Sequence, residues 1–457
     1  MKRLSLLTAT LAIAWCGHAQ AQSIPRIPFE KYTLPNGLQV ILHEDHSVPL
    51  VSVNVWYHVG SGDEDPGRTG FAHLFEHIMF MGSQDVPVGM FDVWLESAGA
   101  NNNGSTTEDR TNYYEDMPSN ALPLALWLEA NRMGWLLPTM DQPKLDLQRD
   151  VVQNERRQGV DNQPYGRADE TILAALFPPA HPYSWPVIGS LQDLSAATLD
   201  DVMNFFRKYY APNNASLSIA GDFNAAEVKQ LIEKNFAQIP RGPAIVRKTD
   251  IPPPRITQDT FLVLEDRVQL PRLYYGWQSA RAFSADDAPL TLLGSILGQG
   301  KTSRLYQRLV YELQVAQDVS AFQNAGRFDG QFRVVVTPKP EQTPARMAEL
   351  INEEVDKVVQ AGVTARELER AKNQLRAQYL DQIAAVGGFS GKADLLNYYN
   401  FYVGNPDYIQ QDVARFEAVT AADVQRVARA QFAKPKVVLT VVPEGKRELM
   451  VVAGGAR

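Results

Sequence analysis

Cysteine is almost absent from this chain, since 457 residues contain only one, Cys16. It lies in an N-terminal segment with a charged start, an apolar run over 4–15 and a small residue at Ala21, which are the three parts of a secretory signal. We expect cleavage after Ala21, because Trp15 is too bulky before Cys16 for a lipoprotein site. The mature chain would then have no thiol, which excludes cysteine catalysis and disulfide bonds.

Long apolar runs and clusters of basic residues are missing as well. Beyond the signal segment no stretch approaches the ~20 apolar residues of a membrane helix, so we expect a soluble, exported protein, periplasmic or secreted, without a membrane anchor. The net charge is -8 and becomes -10 once Lys2 and Arg3 are removed, because residues 1–21 hold no acid. No basic run is long enough to follow a phosphate backbone, which argues against nucleic acid as a partner.

The most informative segment runs from Thr69 to Gly82 and is predicted to be a helix. Thr69 is suited to cap its start and Gly82 to end it, and no helix breaker lies between them. His73, Glu76 and His77 stand at positions i, i+3 and i+4, so their side chains project from one face. Most other positions are apolar, so the greater part of the helix should be buried.

Two imidazoles and a carboxylate on a buried helix need strong partners, because unpaired buried polar groups cost free energy. One interpretation is a core helix whose histidines bond to backbone carbonyls. A metal is favoured, since two of only seven histidines fall at ligand spacing with a glutamate between them. Neutral imidazoles suit Zn²⁺, and Glu76 beside a bound water would serve as general base. The order His-x-x-Glu-His is the inverzincin signature.

Length and the hydrophobic pattern predict two or three globular domains of α+β type. Strands are expected at 32–34 and 38–42, around the Pro35-Asn36-Gly37 turn, and then at 51–57, through Tyr113 and at 217–221. Helices are expected near 90–97, 120–136, 143–158, 167–176, 198–209 and 225–236.

Residues 239–258 are rich in proline and lack regular periodicity, which is typical of an interdomain linker. We place the linker at 241–258, between an N-terminal domain (22–240) and a C-terminal domain (259–457). The segment 194–221 parallels 419–442, which indicates two related domains. The His-x-x-Glu-His motif has no second copy, so only the first domain is expected to carry metal. Later elements are expected as strands at 260–278 and 330–337 and helices at 286–311, 341–361 and 364–384.

Two other enzyme classes are disfavoured. The segment 298–302, Gly-Gln-Gly-Lys-Thr, resembles the end of a P-loop, but Ser295 stands where the first glycine is required and a helix is predicted before it. The Gly-x-Ser-x-Gly motif of serine hydrolases is absent. His58 and His181 are interpreted as structural.

In motif, length and two-domain order, nearly the whole mature chain resembles the pitrilysin/insulinase-type zinc peptidases, in the half-size branch that includes mitochondrial processing peptidase. The helix carrying His73 and His77 is the specific part of the match. The resemblance implies antiparallel sheets packed with helices, and two chains that close like a clam shell around a chamber for unfolded peptides. It implies a zinc metalloendopeptidase. The alternative is a non-catalytic or partner-dependent peptide-binding subunit of the same fold, although such subunits typically lose the metal residues.

The resemblance also implies further site residues. Glu155, within the segment 150–157, is expected as the third protein ligand of one Zn²⁺, although pattern alone would make it a solvated helix residue. Substrate is expected to add as a strand to the segment 99–107, with Asn103, Gly104 and Ser105 touching the peptide, where pattern alone allows an Asn-rich turn. Weaker candidates for the third ligand are Glu96, Glu108, Glu115 and Glu129.

One departure from the family pattern concerns an Arg and, seven residues on, a Tyr that hold the substrate carbonyl in self-sufficient members. The aligned positions here are Val310 and Gln317. We therefore expect a heterodimer in which a homologous partner supplies Arg and Tyr. Arg308 and Tyr311 are nearby but wrongly spaced. A homodimer, or the use of Arg304 or Tyr311 instead, is the alternative.

Overall fold

A computed structural model describes residues 24–249, 251 and 256–453 of the chain. The predicted signal segment at 1–21 and several linker positions lie outside the described residues. Within the described part, no helix is both long enough and apolar enough to cross a membrane.

Strands and helices alternate in two successive sets. The strands are β1 Glu30–Thr33, β2 Gln39–Glu44, β3 Leu50–Tyr57, β4 Asn101–Thr106, β5 Thr111–Pro118, β6 Ala215–Gly221, β7 Thr260–Asp266, β8 Arg272–Ser279, β9 Ala316–Ala325, β10 Gly330–Pro338 and β11 Val437–Pro443. The helices are α1 Phe71–Ile78, α2 Met90–Ser97, α3 Leu122–Trp135, α4 Gln142–Arg156, α5 Ala168–Leu176, α6 Leu191–Ala196, α7 Leu199–Tyr209, α8 Ala225–Phe236, α9 Asp287–Gly298, α10 Pro344–Ala361, α11 Ala365–Ala384, α12 Lys392–Val403, α13 Ile409–Glu417 and α14 Ala421–Phe432.

The strands form two sheets with the same plan. The first has the order β1-β2-β6-β3-β5-β4 and the second the order β7-β11-β8-β10-β9. Neighbours are antiparallel as predicted, except that β2 pairs parallel with β6 and β7 with β11. Both exceptions join strands far apart in the sequence, where no hairpin dictates the direction of the returning strand. The expected α+β fold with two related halves is therefore confirmed.

The repeated segment noted in the sequence corresponds to the same structural unit in each half. Thr198 accepts a hydrogen bond from the Asp201 amide at the start of α7 and donates to the Asp201 carboxylate, and Thr420 does the same with Asp423 at the start of α14. These capping boxes fix where the helices begin. Each helix leads to the strand, β6 or β11, that enters the middle of its sheet.

Each half also lends one helix to the sheet of the other. Helix α12 packs on β2, β3 and β6, where the Asn397 amide donates 2.9 Å hydrogen bonds to the carbonyl and the side chain of Asn54. Helix α5 packs on β8 and β11 through an apolar cluster that includes Ile172 and Leu439. The proposed linker at 241–258 lies between β6 and β7, and the exact domain boundary stays a prediction.

The helices predicted at 286–311 correspond to two helical segments. Helix α9 ends at Gly298, the left-handed residue Gly300 follows, and residues 306–312 form a π-helix. Because Gly298 ends a helix rather than a strand, the P-loop resemblance has the wrong structural context. The sequence patterns did not identify β9, α6, α12 or α13.

Candidate functional site

The helix α1 begins one residue later than the predicted cap at Thr69 implies, and its start is capped differently. Gly70 is the N-terminal cap with a left-handed φ of 88°, while Thr69 donates to Asp193 from its amide and its hydroxyl. The buried carboxylate of Glu64 accepts the Gly70 and Ala72 amides at 3.0 and 2.8 Å. An acceptor from earlier in the same β3–α1 connection therefore satisfies the helix start, because glycine has no side chain that could cap it.

Burial of Glu64 has an electrostatic consequence. It raises the pKa of this carboxyl group to about 8, although the two helix amides and the indole N–H of Trp185 favour the charged form. The amides at the N-terminal end of the helix offset part of this effect of burial, because they favour a negative charge. The first turn of the candidate metal helix is held by this contact.

The three motif side chains converge as the spacing predicted. One ligand atom from each of His73, Glu76 and His77 lies within 4.8 Å of the others, and the two imidazole centroids are 4.9 Å apart. His73 is buried and His77 half-buried. Burial is the largest influence on His73 and lowers its pKa, which favours the neutral imidazole that binds metal.

The side chain of Glu155, on α4, lies close to both imidazoles. Its Oε2 lies 3.6 Å from Nε2 of His73 and 3.2 Å from Nε2 of His77. Ligands about 2.0 Å from a tetrahedral ion are separated by about 3.3 Å, so these distances match neighbouring donors on one Zn²⁺. The Nδ1 atom of His73 is buried and has no hydrogen-bond partner within the described residues. The donor set, two nitrogens and one carboxylate oxygen, fits Zn²⁺.

The other glutamates considered from the sequence are engaged elsewhere or exposed. Glu115 and Glu129 share the buried guanidinium of Arg132. Glu96 is exposed at the end of α2, and Glu108 lines a separate cavity of about 120 Å³. None of these four approaches the imidazoles in the way that Glu155 does.

Glu76 faces strand β4 rather than α4. Its Oε2 accepts a 2.6 Å hydrogen bond from the Thr106 hydroxyl. A Cβ atom at Gly104 would lie 3.1 Å from Cγ of Glu76, so the absence of a side chain there gives Glu76 its room. The sequence patterns missed Thr106. The signal that could have identified Thr106 is its position two residues after Gly104, which places both residues on the same face of a strand.

The segment expected to receive substrate forms β4, an edge strand of the first sheet. Asn103 and Ser105 lie on this strand on either side of Gly104, and the pairing partner of β4 on the inner side is β5. Asn103 is exposed, and its side-chain oxygen accepts the Gly104 amide at 2.8 Å. The Ser105 carbonyl and hydroxyl both accept from Arg110. An edge strand can pair with an added peptide strand.

His58 and His181 have structural contacts. Nε2 of His58 lies 3.1 Å from the Ser216 hydroxyl, and burial lowers the pKa of His58 to about 3. His181 is buried, stacks on Phe177 and lies 3.2 Å from Asp329. Neither ring belongs to the cluster around His73.

The residues discussed for carbonyl binding lie in the second half. Val310 packs against the second core, and Gln317 is exposed on β9. Arg304 binds Glu367 through hydrogen bonds of 2.6 and 2.9 Å, so its guanidinium is committed to a structural ion pair. Tyr311 is 69% exposed, and Arg308 lies 3.5 Å from Glu312.

Comparison with known proteins agrees with this fold. Residues 39–181, which include α1 and Glu155, match the family model described as insulinase (peptidase family M16). Residues 196–375 match the model described as the peptidase M16 inactive domain. The chain belongs to peptidase family M16. The expected pitrilysin/insulinase-type relationship is thereby confirmed, and the residues matched by the inactive-domain model do not include the metal motif.

Named relatives of this M16 chain include zinc proteases. The zinc protease PqqE of Helicobacter pylori is 29% identical over 94% of this chain and 96% of its own length. The protein named probable mitochondrial-processing peptidase subunit beta of Arabidopsis thaliana is 25% identical over 87% of this chain and 75% of its own length. A solved protease structure from Helicobacter pylori superimposes with a TM-score of 0.80 at 26% identity, over 92% of this chain and all of that one.

Proposed function

We propose that this M16 chain is a zinc-dependent endopeptidase that hydrolyses peptides or unfolded polypeptides. The observation that carries the proposal is the convergence of His73, His77 and Glu155 on one point, with Glu76 beside them and an edge strand next to Glu76. A Zn²⁺ ion, when bound, would lower the pKa of a bound water toward ~7 and polarise the scissile carbonyl.

The chain would hold one ion through Nε2 of His73, Nε2 of His77 and a carboxylate oxygen of Glu155. Glu76 would accept a proton from the attacking water and then deliver it to the leaving amine. Thr106 donates to the Glu76 carboxylate and would hold it in one orientation during both transfers. These roles assign the metal and the proton transfers to different carboxylates on different helices.

The peptide would bind as a strand added to β4. Main-chain hydrogen bonds with the segment around Asn103, Gly104 and Ser105 would supply affinity that is largely independent of sequence. The peptide would then lie beside Glu76, because Gly104 is directly opposite that side chain. This arrangement suits extended or unfolded substrates, since a folded strand already has its partners.

A homologous partner chain is part of the proposal. A tetrahedral oxyanion needs donors aimed at it, and Val310 and Gln317 cannot provide an arginine and a tyrosine. We propose a heterodimer in which the partner supplies them while this chain holds the zinc. We also propose that the complex works outside the cytoplasm, as the apolar segment after Lys2 and Arg3 suggests.

The test of the chemistry is Glu76→Gln. The variant should bind zinc stoichiometrically and lose peptidase activity by orders of magnitude, because the amide cannot accept the proton. Glu96→Gln, a substitution at an exposed glutamate of α2, is the matched control and should leave activity unchanged. Near-normal turnover by Glu76→Gln would refute the role. If the parent complex binds zinc but hydrolyses no peptide, the alternative of a peptide-binding subunit would be favoured.

A further inference from the structure

The loop between α11 and α12, residues 385–391, lies against the first sheet on the face opposite α1. The Gly388 amide donates a 3.2 Å hydrogen bond to Asp116 of β5. A Cβ atom at Gly387 would fall 1.8 Å from a carboxylate oxygen of Asp116 and 2.4 Å from the Ser52 hydroxyl. Only glycine permits this approach, so the loop sequence is adapted to contact the sheet.

The backbone of this loop is held in an unfavourable conformation. Ser390 has a φ of 71°, a left-handed value that is uncommon outside glycine, and its amide donates a 2.9 Å hydrogen bond to Asp394. Asp394 in turn accepts from the indole of Trp56 on β3 and the amide of Asn112 on β5. Strain that persists because surrounding contacts impose it is concentrated at functional positions.

The side chain presented by the loop is a large exposed aromatic. Phe389 is 45% exposed, although the loop around it is tightly fixed. Its ring meets Tyr114 of β5 edge-to-face, with the centroids 4.9 Å apart. A solvated phenyl ring on a rigid support has a free apolar surface that needs little ordering before it can bind another apolar group.

The register of the sheet places this aromatic pair beside the peptide-binding strand. Tyr114 pairs with Asn103, and Tyr113 pairs with Gly104. Gly104 faces Glu76, so by alternation Asn103 and Tyr114 face the opposite side of the sheet, where Phe389 lies. A peptide added outside β4 would direct every second side chain to that side, away from the metal.

We propose that Phe389, supported by Tyr114, forms a subsite for a large apolar side chain of the bound peptide. The occupant would be a substrate residue that points away from the zinc, next to Asn103. The subsite rests on the proposed function, since it needs a peptide on β4. It would make Phe389 a specificity-determining residue contributed by the half that lacks the metal motif.

The test measures peptide binding by the full chain carrying Glu76→Gln, loaded with zinc, so that no substrate is consumed. Fluorescently labelled unfolded peptides with leucine or alanine at each position in turn serve as the probes. With Phe389 intact, peptides with leucine should bind more tightly than peptides with alanine at one position, or at two positions separated by one residue. Phe389→Ala should reduce that preference about three- to tenfold, as expected for losing partial burial of one aliphatic side chain, and Phe389→Leu should largely keep it.

The controls separate the possible failures. Val246→Ala removes a side chain that is 91% exposed on the linker, and it should not change the preference. The melting temperature of each variant checks that the fold is intact. Peptide binding with the same positional profile in Phe389→Ala would overturn the subsite alone. If no peptide binds to Glu76→Gln and the parent complex cleaves none, the proposed function fails and the subsite fails with it.

Discussion

The two halves of this M16 chain share a sheet plan but differ at one pair of helices. Helix α1 follows β3 and precedes the edge strand β4, and helix α9 follows β8 and precedes the edge strand β9. Each packs against the helix in the corresponding later position, α1 on α4 and α9 on α11. The two helix pairs therefore occupy equivalent places, and the side chains between them differ.

The contact between the paired helices carries the difference in chemistry. In the first half, His73 and His77 of α1 face Glu155 of α4 at 3.6 and 3.2 Å. In the second half, the Ser295 hydroxyl of α9 donates a 3.2 Å hydrogen bond to Gln374 of α11. A neutral hydrogen bond holds one pair, whereas three donors suited to a cation meet in the other.

The helices also approach their edge strands differently. Gly104 lies on strand β4 and leaves space for the Glu76 side chain. In the second half the glycines lie on the helix, and a Cβ atom at Gly298 would fall 2.0 Å from the backbone nitrogen of Ala321 on β9. The first half keeps a side chain between helix and strand, and the second closes that space. The shared fold thus supports either arrangement, and the chemistry depends on a few positions.

The largest expected effect is at Glu155. Glu155→Gln gives α4 the same residue type that α11 has at Gln374, and it should lower zinc content sharply and peptidase activity by orders of magnitude. A catalytic zinc needs three protein ligands, and an amide replaces a carboxylate poorly. Metal analysis after dialysis and a peptide assay provide the measurements.

The reciprocal variant sharpens this comparison. Gln374→Glu puts a carboxylate at the corresponding site of the second half, but Ser295 supplies no imidazole, so no second zinc should bind. Stoichiometric zinc retained by Glu155→Gln would contradict the ligand assignment.

The next effect concerns the partner chain. The isolated chain should cleave an unfolded peptide about 10²–10³-fold more slowly than the complex with a partner carrying Arg and Tyr, because one missing oxyanion donor typically costs that much. Substituting the partner's Arg or Tyr should abolish most of the gain. The prediction fails if the isolated chain is fully active and no partner changes its rate.

Much of the site could be predicted because its information is local. The spacing of His73, Glu76 and His77 specifies one helical face wherever the helix lies. Glu155 is different, since α4 is a separate helix and the pattern alone suggests a solvated residue. Only the family resemblance singled it out, and the distances to both imidazoles now give it a physical basis.

What the sequence could not reveal depends on long-range packing. Thr69, which the local pattern favoured as the cap of α1, instead bonds to the distant Asp193, and Glu64 accepts the first helix amides in its place. Helix α12 lacks a single apolar stripe because its buried residues, which include Asp394, Asn397 and Asn400, lie on several sides. Helix α12 covers the sheet of the other half, a swap that no local pattern encodes.

A smaller effect distinguishes Gly104 on β4 from Gly298 on α9. Gly104→Ala should lower kcat by roughly tenfold, because the added methyl group would lie 3.1 Å from Cγ of Glu76 and displace that side chain. The methyl group would also lie 3.1 Å from the ring of buried Tyr113, so a loss of stability smaller than that of Gly298→Ala should accompany the change. Gly298→Ala should cost about 1–3 kcal/mol of stability through overpacking against β9 and leave zinc content unchanged. Thermal unfolding and steady-state kinetics on both variants test the contrast, and equal losses of stability would refute it.

The smallest effect is expected at Thr106. Thr106→Val keeps the shape of the side chain and removes the hydroxyl that donates to Glu76 at 2.6 Å. A hydrogen bond to a charged group contributes about 1.5–3 kcal/mol, but only the part that differs between the ground state and the transition state lowers kcat, so kcat should fall by about tenfold while zinc content stays the same. Thr106→Ser restores the hydroxyl and should recover most of the rate, which a loss caused by altered packing would not do.

Because β4 is also the strand proposed to bind peptide, KM must be measured beside kcat. A fall confined to kcat assigns Thr106 to the orientation of Glu76, whereas a change confined to KM would show that it acts on the peptide strand instead.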